Sequence, residues 1–170
     1  MPTLKAPTTP TLSAPDTPLV PAPSRPASSR RIFIIDDDEL FADCLKTAIL
    51  SADKTSDKSS TYETQNPSTP SKNLSPLSVE IFKNAVDAMS SLDDPLPALI
   101  FLDVLLPGAD GFTFLNELVS YVDTSKIPIV LVTSLELSEF NLKLYGVKGI
   151  LNKEKLKPED IVHYVKRYAI

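Results

Sequence analysis

Residues 98–112 read Ala-Leu-Ile-Phe-Leu-Asp-Val-Leu-Leu-Pro-Gly-Ala-Asp-Gly-Phe, and the fold of the chain turns on them. Five apolar residues lead into Asp103, and a Pro-Gly pair follows at positions 107 and 108. An uninterrupted apolar run bounded by turn residues is the pattern of a strand buried on both faces, as at the centre of a parallel sheet. Asp103 then stands at the strand's carboxyl end. In open α/β sheets that edge is where ligands bind, so a carboxylate there is available for chemistry. The plainer alternative is a turn-capping aspartate, and other clusters in the chain decide between the two.

Upstream, Ile32-Phe33-Ile34-Ile35 forms a β-branched and aromatic run that stops at Asp36-Asp37-Asp38-Glu39, a buried strand ending in acids. Leu40, Phe41, Cys44, Leu45, Ala48 and Ile49 then mark one face of a helix, on which Cys44 is expected to be a small buried core residue. Val79 to Phe82 is a second short strand. Asn84 caps the helix after it, whose apolar face is Ala85, Val86, Met89 and Leu92. Beyond the Pro107-Gly108 turn, Asp110 is a cap for a third helix with Phe114, Leu115, Leu118, Val119 and Val122 on one side. Ile127 to Val132 is a fourth buried strand ending in Thr133-Ser134. A short helix is expected over Leu135 to Tyr145, closed by Gly146 in the left-handed position. Gly149-Ile150-Leu151 is a brief fifth strand that runs into Asn152-Lys153. The last helix starts at Pro158 with Glu159 and Asp160 in its first turn and directs Ile161, Val162 and Val165 inward, leaving His163 outside that stripe. Five strands alternating with five helices predict an α/β domain: a single doubly wound, five-stranded parallel sheet with helices on both faces.

Two segments stand apart from this pattern. Eight of the 16 prolines lie in residues 1–30, among Ser, Thr and Ala, and this tail cannot bury enough apolar surface to offset the entropy of ordering. Residues 51–78 are again rich in Ser, Thr, Lys and Asp and read as a flexible insertion, which a fold tolerates because loop-closure cost grows slowly with length. The folded domain is therefore expected over residues 31–170. Lys5, Arg25, Arg30 and Arg31 against Asp16 make the tail mildly basic, too dispersed to form a nucleic-acid or membrane patch, while the whole chain carries −5. No run of 18 apolar residues exists to span a bilayer and the tail has no secretory core, which points to a cytoplasmic protein. One cysteine and one histidine exclude a disulfide framework, a Cys-based zinc site and most Ser-His or Cys-His nucleophile pairs. Neither glycine-rich nucleotide pattern occurs. Carboxylates, hydroxyls and lysines must carry the chemistry.

In a parallel sheet the strand ends share one edge, and here that edge collects Asp36-Asp37, Asp103, Thr133-Ser134 and Lys153. Carboxylates that repel one another call for a hard divalent cation, and an all-oxygen set suits Mg²⁺. A lysine and a hydroxyl at the same point complete a site for a phosphoryl group, with Asp103 as the nucleophile.

These residues, with Leu-Pro-Gly-Ala-Asp-Gly after Asp103, resemble the receiver domain of two-component response regulators, over residues 31–170 apart from the insertion. The resemblance implies a flavodoxin-like receiver fold and a Mg²⁺ ion held by Asp36, Asp37, Asp103 and the backbone carbonyl of Leu105. It also implies a phosphoryl group passed to Asp103 from the phosphohistidine of a sensor kinase or phosphotransfer protein. Thr133 would swing toward the phosphoryl oxygens and Lys153 would pair with them, while Ser134 leaves room for the donor. Departures from the family pattern are Glu154 for the proline after the lysine, Ile150 for the aromatic switch residue, and a short helix between Thr133 and Gly146. Leu105 and Leu135 are apolar where polar side chains often orient the hydrolytic water, so slow loss of the phosphoryl group is expected.

Because the sequence stops at Ile170, after the last helix, the reading is of a stand-alone receiver with no nucleic-acid-binding or enzymatic output domain. It would catalyse only its own phosphorylation and dephosphorylation and switch contacts with a downstream protein, a phosphorylation-dependent dimer being one form of that output. Two alternatives compete: a non-switching docking module, which Ile150 and Glu154 leave open, and a phosphatase similar to the haloacid dehalogenase group with Asp36 as nucleophile and Asp38 as acid/base. Leu40 stands where the phosphatase pattern wants Thr or Val.

Overall fold

The apolar runs form the strands. β1 is Arg31–Ile35, β2 is Ser78–Phe82, β3 is Leu99–Leu102, β4 is Ile129–Thr133 and β5 is Val147–Asn152. All pair in parallel, in the order β2-β1-β3-β4-β5. Every residue of β3 and β4 is buried, as expected for inner strands covered on both faces, whereas β2 and β5 at the edges are mostly half-buried. The computed structural model describes residues 30–56, 76–93, 95–108, 111–137 and 142–170.

Side chains alternate across the sheet and divide the core in two. On one face Ile32, Ile34, Phe101, Val130 and Val132 meet Ala42, Leu45 and Ile49 of α1 (Glu39–Ser56) and Ile161 and Val165 of α4 (Pro158–Tyr168). On the other, Phe33, Ile35, Ile100, Leu102 and Leu131 meet Ala85 and Ala88 of α2 (Ala85–Ser90) and Phe114, Leu115 and Leu118 of α3 (Gly111–Val119). The doubly wound architecture read from the sequence is the one observed.

Local chemistry sets the helix starts. Asp38 Oδ1 accepts the Leu40 and Phe41 N–H groups, each at 3.1 Å, and so caps α1. Asn84 caps α2 by accepting from Asp87 N at 2.8 Å. Pro158 opens α4, and Asp160 Oδ2 reaches back to accept from Lys157 N at 3.0 Å. The expected cap at Asp110 lies outside the described residues.

Several expectations need correction. Arg30 is not tail: it is buried, its Nε donates to the Ala169 carbonyl at 3.4 Å and it pairs with Asp53, so it ties the start of the sheet to both helices of one face. Residues 1–29 lie outside the described residues. The expected insertion at 51–78 is shorter, because α1 continues to Ser56 and β2 begins at Ser78; its middle is outside the described residues. The helix expected over Leu135 to Tyr145 is absent from its described parts. Thr133 Oγ1 accepts the Leu135 N–H at 3.4 Å in a side-chain turn, and the described part nearer Gly146 is a 3₁₀ turn over Leu142–Tyr145. Gly146 then takes φ +75°, the left-handed turn expected there. Among the described residues there are thus four α-helices rather than five. Cys44 is exposed, as are Leu40, Val86 and Val122. The apolar stripes of these helices are wider than the surfaces they cover, and α3 stops before reaching Val122.

Arg31 clamps the lower edge of the sheet. Its guanidinium donates to Glu80 of β2 at 2.8 Å, to Asp93 at 2.6 Å and to the Pro95 carbonyl at 2.9 Å. These bonds hold Asp93 below the usual carboxylate pKa and push the arginine upward. Packing is the larger contribution. Phe101→Ala, which empties a fully buried position on β3, should lower unfolding free energy by roughly 3–5 kcal/mol in urea titrations, with an unchanged denaturant slope.

Candidate functional site

The strand order reverses between β1 and β3, and the ends of those strands carry Asp36 and Asp103. Both acids are buried, at 2 % and 5 % exposure, while Asp37 is exposed. One carboxylate oxygen from each of Asp36, Asp37 and Asp103 lies within 4.8 Å of the others. The backbone holds the pair in place: the Asp103 N–H donates to the Ile35 carbonyl at 2.9 Å, joining the two strand ends. Each acid also turns the loop after it, Asp36 Oδ1 accepting from Asp38 N at 3.0 Å and Asp103 Oδ1 from Leu105 N at 2.9 Å.

Lys153 enters from the far side. It follows β5, and its N–H is held by the Thr133 carbonyl at 3.1 Å, so its stem crosses the end of β4. Its ammonium lies 2.7 Å from Asp36 Oδ2 and 2.6 Å from Asp103 Oδ2. Burial raises the pKa of Asp36, with the Asp103 charge adding to it, against the lowering influence of Lys153 and the Asp38 N–H. Burial alone would lower Lys153, but its bonds to Asp103 and Asp36 outweigh this and the net direction is upward. The loop after Asp103 leaves no spare room: a Cβ on Gly111, at the start of α3, would stand 2.6 Å from the Asp103 carbonyl oxygen.

The structure therefore brings Asp36, Asp37, Asp103 and Lys153 together. Thr133 is at the same edge, fully buried, one strand away, with its hydroxyl turned to the Leu135 N–H. Leu105 is placed through its N–H on Asp103, its side chain 52 % exposed, and Ser134 is exposed. Sequence reasoning missed Phe41, whose ring centroid lies 4.7 Å from the Lys153 ammonium; the two residues are far apart in sequence and no local pattern links them. Three carboxylates against one ammonium leave net negative charge in an all-oxygen donor set, which fits a hard divalent cation. Among the described residues no helix is long and apolar enough to cross a membrane.

Comparison with known proteins bears on the fold. No family model matches the chain. Response regulator PleD of Caulobacter vibrioides is 47 % identical over 49 residues, covering 29 % of this chain and 10 % of PleD, so the chain spans about a tenth of that relative. A CheY-like response regulator receiver domain protein from Methanospirillum hungatei superposes with a TM-score of 0.55 at 20 % identity, covering 81 % of this chain and 90 % of that one. The receiver domain of a sensor histidine kinase from Pseudomonas aeruginosa, with a magnesium ion coordinated in its active-site cleft, gives 0.58 at 17 % identity, covering 82 % and 96 %. The fold is that of the CheY-like receiver domains of two-component response regulators.

Removing the ammonium should expose how the site is balanced. In chelator-treated protein, Lys153→Ala leaves two buried carboxylates uncompensated and should cost roughly 2–4 kcal/mol near neutral pH. Without Lys153 the Asp36 pKa rises further. A raised carboxylate pKa makes stability fall as pH rises through the folded value, so the loss should shrink when denaturation is repeated at about pH 5.

Proposed function

We propose that the chain accepts a phosphoryl group on Asp103 from a phosphohistidine, carried by a sensor kinase or a phosphotransfer protein, and that the modified site switches contacts with a protein partner. The observation that carries this reading is the Lys153 ammonium seated on both Asp36 and Asp103 at the switch point of the sheet, with Asp37 beside them.

The chemistry is an in-line displacement. An Asp103 carboxylate oxygen attacks phosphorus, a P–O bond forms, the P–N bond of the donor breaks, and the imidazole nitrogen keeps the electron pair. Asp36, Asp37, Asp103 and the carbonyl of Leu105 would hold Mg²⁺, which supplies positive charge against the carboxylates and the phosphoryl oxygens. Lys153 supplies a second cation aimed at the same oxygens, and Thr133, whose hydroxyl accepts the Leu135 N–H and keeps its own O–H hydrogen available, supplies a donor. The pKa of Lys153 is raised, so the ammonium is charged throughout the physiological range. The protein turns over nothing but its own aspartyl phosphate.

Incubation with Mg²⁺ and acetyl phosphate, followed by intact-mass measurement, should show a single phosphoryl adduct that needs Mg²⁺ and is missing in Asp103→Asn. An adduct that persists in Asp103→Asn overturns the assignment. The exposed Leu105 and Leu135 side chains flank Asp103 and Thr133 and offer no polar group to orient water, which supports slow hydrolysis. Leu105→Glu and Leu135→Gln should each shorten the adduct's half-life severalfold; an adduct that already decays fast and ignores both substitutions refutes that expectation.

A further inference from the structure

Lys153 faces a problem that its own bonds do not solve. Its ammonium is held by two carboxylates that a divalent cation would also claim, one of which, Asp103, phosphorylation would convert to an acyl phosphate. A lysine stem is flexible, and fixing it costs rotamer entropy that those bonds no longer offset once they are shared. The site holds one more contact of the ammonium that involves neither carboxylate: the face of Phe41, 4.7 Å from Nζ to the ring centroid.

The position of that ring is itself built from the site. Asp36 Oδ1 fixes the Asp38 N–H, Asp38 Oδ1 accepts the Phe41 N–H in the first turn of α1, and the half-buried Phe41 ring lies under the ammonium that returns to Asp36. The chain of contacts closes on itself. Phe41 and Lys153 also line a common crevice of about 210 Å³ with Leu156 and Pro158, so the two side chains meet at the edge of an opening that would otherwise offer the lysine other positions.

From this closed set of contacts we infer that Phe41 is a positioning residue that keeps Lys153 aimed at the phosphoryl group when the carboxylates are otherwise engaged. The inference rests on the receiver reading for its consequence in phosphorylation, but the contact itself can be tested without it. The variants are Phe41→Leu, which keeps an apolar side chain of similar reach without a ring, and Phe41→Trp, which keeps an aromatic face.

The first readout is NMR of the full-length protein. Lys153 ε-protons, assigned with Lys153→Arg, should be shifted upfield by the ring current, should stay shifted when Mg²⁺ is added to saturation, and should return to ordinary values in Phe41→Leu. The second is the initial rate of adduct formation across a range of acetyl phosphate with Mg²⁺. Phe41→Leu should lower rate over half-saturating donor concentration by roughly three- to tenfold, with Phe41→Trp close to wild type. Urea midpoints of both variants separate this from lost packing, since a packing role would track stability rather than aromaticity. Loss of the upfield shift on adding Mg²⁺, or equal rates in Phe41→Leu and wild type, overturns the inference. A wild type that forms no adduct overturns the receiver reading, and the ring-current result still decides whether Phe41 holds the lysine.

Discussion

One ammonium between two buried carboxylates is the contact on which the molecule depends. Asp36 and Asp103 are forced together because β1 and β3 are neighbours that end side by side, and burial makes two adjacent anions costly. The compensating charge comes from β5, two strands from β3. Neighbouring strands lie about 4.8 Å apart, so only a long side chain reaches across the intervening strand end. Lys153 does so with its backbone pinned on Thr133 and its ammonium on both acids. The parallel sheet therefore acts as a device for bringing groups of opposite sign that are distant in sequence to one edge, where the acids remain in excess.

The rest of the interior is arranged so that this edge is the exception. Among the described residues the buried polar or charged side chains are Arg30, Asp36, Asp103 and Thr133, and three of the four are at the site. Arg30 instead fastens the entrance of β1 to Asp53 of α1 and to the carbonyl just past α4. No buried side-chain nitrogen or oxygen among the described residues lacks a partner. With both faces of the sheet packed by aliphatic and aromatic residues, the low-dielectric surroundings strengthen the few charges left at the carboxyl edge.

The inner strands, and the edge on which their polar ends lie, were legible because they rest on local patterns. Leu99 to Leu102 and Ile129 to Val132 are continuous apolar runs, and each ends in a polar residue whose place on the edge follows from parallel topology alone. The misread features depend on what covers a surface. Cys44 shares the helical stripe of Leu45, yet it borders a crevice beside α4 and stays exposed. The stretch from Leu135 to Tyr145 has enough apolar residues for a helix, yet its described parts hold only a 3₁₀ turn over Leu142–Tyr145. Arg30 and Arg31 looked like the end of a basic tail, since their partners Asp53, Glu80 and Asp93 lie 23 to 62 residues away. The Phe41–Lys153 contact is hidden for the same reason. Local sequence reports the period of an element and not its partners.

Thr133 and Leu135 show how charge at this edge can reach the surface. Thr133 is fully buried and its hydroxyl is engaged by the Leu135 N–H at 3.4 Å, a long bond that costs little to give up. A phosphoryl oxygen on Asp103 would offer that hydroxyl an ionised acceptor, and hydrogen bonds to charged groups are roughly twice as strong as neutral ones. Swinging the hydroxyl toward Asp103 to make that bond would carry its oxygen away from the Leu135 N–H and free a partly exposed apolar side chain beside the site. On the proposed reading of Asp103, the Thr133–Leu135 turn is thus the contact through which a change of charge at this edge would be passed to the surface.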